Sequence, residues 1–198
     1  MIITKLISKL LISVSVVFLA TVIYADNTQD LALLEAVEKG DLSAMRAALD
    51  KGADINAKDG YQEDTALISA AKRGHIEIVK ELAVKGAALN GRDRYGSTAL
   101  MHASAEGYMD IARILIDGAA DINIQDKYGR AALMNAAGNN QLDIVKLLLS
   151  KGAAVNAEDI SGRTAWVLAV EEGSNEIAGF LKGLGAKEKY EVLEWSGE

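Results

Sequence analysis

The stretch Thr65–Asn90, TALISAAKRGHIEIVKELAVKGAALN, holds two short helical patterns punctuated by Gly74 and Gly86. Thr65 stands where an N-cap hydroxyl can accept an orphan backbone N–H. A first helix is expected over Ala66–Arg73, closed by Gly74, because a positive φ is cheap for glycine. Ile76, Val79 and Leu82 then recur at helical spacing, and Gly86 stops this second helix. Working outward, the stretch repeats. Thr65-Ala66-Leu67 returns as Thr98-Ala99-Leu100, Ala131-Ala132-Leu133 and Thr164-Ala165-Trp166, each step 33 residues. Lys85-Gly86-Ala87 has counterparts in Lys51-Gly52-Ala53 and Lys151-Gly152-Ala153. Asn90, Asn123 and Asn156 are also 33 apart, whereas Asn56 to Asn90 is 34, which places one extra residue in the loop 57–64. Two unrelated landmarks with one period indicate a repeat architecture.

The same grammar extends along the chain. First helices are expected over Ala99–Glu106, Ala132–Asn139 and Ala165–Glu172. Second helices carry Met109, Ala112, Leu115 and then Leu142, Val145, Leu148. Gly40, Gly74, Gly107 and Gly173 recur between paired helices, with Asn140, the next best residue for a left-handed turn, in the fourth unit. Ala119 follows Gly118 where other units place glycine one position later, which predicts a slightly shifted helix end. Helices of eight residues are not stable alone in water. Each unit must bury its apolar face on its neighbours, and the terminal units should look different. Asp30–Gly40 indeed opens without a threonine cap, and Asn175 replaces the apolar residue that begins the other second helices.

On these motifs the chain resembles the ankyrin-repeat family over about residues 30–186, in five units. The resemblance implies an all-α ankyrin-repeat solenoid of about five helix-turn-helix repeats joined by β-turn finger loops. The expected repeats are 30–59, 60–93, 94–126, 127–159 and 160–186, within a domain 26–186. It also implies a protein-binding scaffold. Two departures from the family pattern stand out. The family's proline after the threonine is Ala66, Ala99, Ala132 and Ala165 here, which restricts the unfolded chain less. The family's histidine two places later is Ile68, Met101, Met134 and Val167, so apolar packing is expected to replace its inter-loop hydrogen bonds.

Composition narrows the function classes. The chain has 198 residues, no cysteine, no proline, two histidines and a net charge of −7. Disulfides, thiolate metal sites and cysteine nucleophiles are excluded, and the acidic balance argues against general nucleic-acid binding. His75 belongs to a turn between helices and reads as structural. His102 has no serine or carboxylate at a spacing that argues for a triad. Asp59, Asp93, Asp126 and Asp159 precede each new unit without a calcium-loop pattern, and are expected to hydrogen-bond their own turns. Gly183-Leu184-Gly185 is a helix end and no phosphate cradle. No catalytic residue, cofactor, metal or small-molecule substrate is expected.

The first 25 residues read as an address. Lys5 and Lys9 precede the uncharged run LLISVSVVFLA (Leu10–Ala20), and Ala25 supplies a small residue for cleavage. This is the pattern of a secretory signal peptide, favoured over a retained anchor because the apolar stretch is short for a span. Cleavage leaves 173 residues with 19 basic and 28 acidic groups, net −9. An exported, periplasmic or secreted bacterial protein is expected, with membrane contact only if the segment stays attached. The tail 187–198 is charged, and Trp195 has no assigned use.

Function should reside where the repeats differ. Tyr61, Tyr95 and Tyr128 recur on successive fingertips, and Arg94, Lys127, Arg130 and Arg163 make the fingers basic on an acidic chain. Lys72 and Arg73 form a basic patch on the second unit's first helix, with His102 near the inner surface. Tyrosine and arginine anchor protein interfaces. The expectation is a folded protein partner with an acidic surface, bound by fingers and concave face. An inhibitor or immunity role toward an exported enzyme is one form; an envelope assembly factor and a secreted effector are the alternatives.

Overall fold

In the computed structural model, which describes residues 28–187, the chain's own punctuation sets the boundaries of every unit. Helix α1 covers residues 28–38, followed by α2 (Leu42–Asp50), α3 (Ala66–Arg73), α4 (Ile76–Val84), α5 (Ala99–Glu106) and α6 (Met109–Asp117). Then come α7 (Ala132–Gly138), α8 (Leu142–Ser150), α9 (Ala165–Glu171) and α10 (Asn175–Gly183). These ten helices form five pairs, an all-α solenoid with no strand among the described residues. The signal-like segment 1–25 and nearly all of the tail lie outside the described residues.

Local chemistry explains the ends. The hydroxyls of Thr65, Thr98 and Thr164 accept the N–H of Ile68, Met101 and Val167, which caps α3, α5 and α9. Ala131 gives α7 no such cap. Gly74 and Gly107 adopt φ 74° and 81° and also admit a neighbour. A Cβ at Gly74 would stand 2.9 Å from the Tyr108 ring, and one at Gly107 only 2.6 Å from the Gln141 amide. His75 sits in the same way against Gly40, at 2.9 Å from a hypothetical Cβ. In the second, third and fourth units the residue opening the second helix therefore covers the inter-helix glycine of the unit before it. This stacking is the structural role of His75.

One expectation is corrected at Ala119. Helix α6 ends at Asp117, in register with Val84 of α4 and Ser150 of α8, so the end is not shifted. Ala119 instead takes the left-handed φ of 69° that Gly86 and Gly152 take at 89° and 92°. The reason is the bond that follows. Ala120 N–H donates to the Leu115 carbonyl at 3.0 Å, as Ala87 does to Leu82 and Ala153 to Leu148. That bond and the burial of Ala120 outweigh a strain of about 1–2 kcal/mol. The predicted first helices of the fourth and fifth units each close one residue earlier than expected, at Gly138 and Glu171.

First helices α3, α5, α7 and α9 pack in one row and α4, α6, α8 and α10 in a second. A single apolar core runs between them, from Leu33 and Met45 through Leu82, Leu100, Leu115 and Leu148 to Leu181. Ile68, Met101, Met134 and Val167 are all buried, so apolar packing does occupy the position where the family pattern has histidine. Each fully buried aliphatic side chain contributes about 1.5–3 kcal/mol relative to exposure. A ladder of asparagines ties the loops behind: the Oδ1 atoms of Asn56, Asn90, Asn123 and Asn156 accept the N–H of Ala88, Asp121, Ala154 and Lys187. Asp30 does the same for Asp54.

Candidate functional site

Each finger is tightened from within by its aspartate. Asp93 Oδ1 accepts the N–H of Tyr95 and Ser97, Asp126 Oδ1 that of Tyr128 and Arg130, and Asp159 Oδ1 that of Ser161 and Arg163. Asp59 holds Tyr61 and Gln62 in the longer first finger, where Glu63 takes a left-handed φ of 57°. These are the turn hydrogen bonds that the sequence suggests for the four aspartates.

The fingers are also tied to one another. Arg94 N–H donates to the Gln62 carbonyl at 2.8 Å, Lys127 N–H to Tyr95 and Ile160 N–H to Tyr128, both at 2.9 Å. Side chains add to this ladder: Arg92 to the Gln125 carbonyl, Gln125 to Glu158, and Lys58 to Arg92. The row of tips is thus preorganised, and the ordering cost of binding is lowered.

On that frame Tyr61, Tyr95 and Tyr128 are 76%, 43% and 50% exposed, and Ile160 extends the row at 74%. The guanidinium of Arg94 lies 5.4 Å from the ring centroids of both Tyr61 and Tyr95 and donates to the Tyr61 carbonyl. Lys127 Nζ donates to the Arg94 carbonyl at 2.7 Å. Tyrosines and the basic residues Arg94 and Lys127 therefore form one continuous edge.

The concave residues singled out in the sequence are less free. Lys72 Nζ contacts both Asp64 oxygens, at 2.7 and 2.8 Å, and lies 3.8 Å from Asp93. Arg73 pairs with Glu38 of the preceding unit. His102 Nε2 lies 2.9 Å from Asp93 Oδ2; the carboxylate can only accept, so Nε2 carries the proton. Arg163 binds Asp159 and reaches Glu171 at 3.3 Å. Arg130 alone among the basic side chains of the fingers and first helices has no side-chain partner among the described residues. The sequence groups these cations together; their pairing depends on contacts four to thirty-five residues apart.

Burial is the largest influence on Asp93 and would raise its pKa. The bond from His102 and the N–H groups of Ser97 and Tyr95 outweigh it and hold the carboxyl below its ordinary value. Burial also dominates at His102 and pushes the imidazole down against the attraction of Asp93. Asp159 is likewise lowered, burial being overcome by the Arg163 and Ser161 N–H groups and the Arg163 side chain. These groups brace the fingers. Among the described residues no cluster of histidine and carboxylate groups could hold a metal ion.

The family model for ankyrin repeats (3 copies) matches residues 33–126 and 118–190. A search of curated proteins finds no match to the chain.

Proposed function

Since the chain belongs to the ankyrin-repeat family, whose members are generally protein–protein interaction modules and typically non-catalytic, we propose that it binds one folded protein through its fingertip edge and the adjoining concave face. The observation that carries this reading is the row Tyr61, Tyr95, Tyr128 and Ile160, exposed on fingers that are bonded to one another. Large apolar side chains held rigidly in water cost little to order on binding, and they release water when covered. The fingers also present Arg94, Lys127 and Arg130 on a chain of net charge −7, which suits an acidic partner surface.

The setting follows from the first 25 residues. We infer export to the bacterial envelope or beyond, where the module occludes the active-site mouth of an exported enzyme as its inhibitor or immunity partner. Assembly of an envelope complex is the second reading, favoured if the apolar run Leu10–Ala20 remains attached. The mass of the protein recovered from an envelope fraction separates the two forms.

The test of binding is capture from an envelope extract by tagged protein, with Tyr95→Ala and Tyr128→Ala in parallel. The expected result is one protein retained by the unaltered chain, lost on both substitutions, and weakened by rising salt. Equal capture by all three proteins overturns the fingertip surface.

A further inference from the structure

We propose that Arg130 is the anchor of a carboxylate-reading pocket, and that the partner enters it with an Asp or Glu side chain flanked by an apolar residue. This deepens the fingertip reading and rests on it. A rule internal to the fold points to it. The last finger residue of a unit and the residue eight positions later, on its first helix, face each other. In the second unit they are Asp64 and Lys72, paired at 2.7 Å; in the fifth they are Arg163 and Glu171, paired at 3.3 Å. In the third they are the neutral Ser97 and Ala105. In the fourth they are Arg130 and Gly138. The cation is present and its acid is missing.

Among the described residues nothing else fills that role. A Cβ built on Gly138 would meet only Leu168 Cβ, at 3.8 Å, so the position that Lys72 and Glu171 fill in their own units is open here. Asp126, the aspartate of the same finger, spends Oδ1 on the N–H groups of Tyr128 and Arg130. Asp159 is taken up by Arg163 and by its own turn. Arg94, Lys127, Lys72, Arg73 and Arg163 all have partners, as described above. Arg130 is half-buried and lines a cleft of about 290 Å³ with Tyr128, Ile160, Ser161, Asp159 and Arg163.

The cleft defines its guest. One planar guanidinium matches one carboxylate, with two parallel N–H···O bonds available. A phosphate carries more charge than the one unpaired guanidinium offsets, since Asp159 and Arg163 in the wall are spent on each other. Tyr128 and Ile160, 50% and 74% exposed, give the apolar rim on which a neighbouring side chain can rest.

The test uses selection of a displayed random-peptide library on the full chain, with Arg130→Gln, Gly138→Glu and Gly138→Ala in parallel. Gly138→Glu supplies the internal acid that Glu171 gives Arg163, so it silences the arginine without removing it. Peptides from the unaltered chain are expected to share one acidic position beside an apolar one. Binding should fall about ten- to a hundredfold on Arg130→Gln and on Gly138→Glu, the worth of one charge-assisted pair. Gly138→Ala should bind as the unaltered chain does, and thermal unfolding of Gly138→Glu shows that the loss is not one of folding. Peptides that need Tyr95 and Tyr128 but bind Arg130→Gln equally overturn the pocket and leave the fingertip reading standing. Failure to select any peptide overturns both. Retention of phosphatidylglycerol vesicles through Arg130, with no acidic position in the peptides, overturns the carboxylate guest.

Discussion

Repeat two and repeat four share one apolar spine and differ in nearly every polar device around it. In repeat two, Thr65 caps α3, Gly74 makes the turn at φ 74°, and Lys72 closes on Asp64. In repeat four, Ala131 leaves α7 uncapped, Asn140 takes the turn at φ 57°, and Arg130 closes on no acid among the described residues. Yet Leu133, Ile144, Val145 and Leu148 are as buried as Leu67, Ile78, Val79 and Leu82. The difference teaches that burial against neighbours is sufficient to form a unit here, while caps and ion pairs refine it. A unit flanked on both sides can omit them. The omission at Arg130 is the one that leaves a charged group available to a partner.

The comparison breaks first if the spines are unequal. Leu82→Ala and Leu148→Ala each remove a side chain with no exposed surface, and each should cost about 2–5 kcal/mol in denaturant unfolding. Near-equal losses place the two units in one cooperative core. A loss below about 1 kcal/mol at Leu148 alone would mean that repeat four is held loosely and that its missing devices matter.

The tie between repeats two and three comes next. Asp93→Ala orphans the N–H groups of Tyr95 and Ser97, and strips His102 and Lys72 of their shared acid. About 2–4 kcal/mol is expected, since each buried group left unpaired costs about 1–3 kcal/mol. The pH dependence follows from the directions of the two shifts. His102 is lowered in the fold, so the unfolded chain binds its proton first, and stability falls as pH drops below the ordinary histidine value of about 6.5. Asp93 is lowered too; its contribution is whole above about pH 4 and is lost as pH falls through its folded value. Unfolding midpoints between pH 7 and 3 should decline in two stages, and Asp93→Ala should flatten the lower one.

Adding what repeat four lacks should have a smaller effect of opposite sign. Ala131→Thr places a hydroxyl where Thr98 and Thr164 already sit buried in neighbouring units, so the space is of the right kind. A gain of about 1 kcal/mol is expected from the cap, read as a raised unfolding midpoint. No gain would show that the α7 start is satisfied in some other way.

Much of this could be read from the chain alone. The period of 33 fixes the helices because Thr and Gly are chosen for backbone reasons that act locally, while the recurring asparagines mark the period through bonds to the next loop. The roles of Lys72, Arg73, His102 and Arg130 could not be read in the same way. Whether a cation is paired depends on what the folded chain brings opposite it, such as Asp64 for Lys72, Glu38 for Arg73 or Asp93 for His102. The stacking of Tyr108 on Gly74 and Gln141 on Gly107 was hidden for the same reason. A glycine chosen for its φ and a glycine chosen for lack of a Cβ look alike in sequence.

The same ambiguity can be turned into the finest measurement. Ala119 and Asn140 are both left-handed without being glycine, at φ 69° and 57°. Alanine has no side-chain polar group to compensate for the strain, whereas asparagine tolerates this region by local hydrogen bonding. Ala119 is also exposed, so removing its methyl sacrifices no packing. Ala119→Gly should therefore raise stability by about 1 kcal/mol, and Asn140→Gly by no more than a few tenths, because the freer unfolded glycine offsets much of the relief. Equal gains would mean that Asn140 is as strained as Ala119. The turn of repeat four would then be a true defect in place of a tolerated substitute, and its place beside the free arginine would need a reason other than neighbouring support.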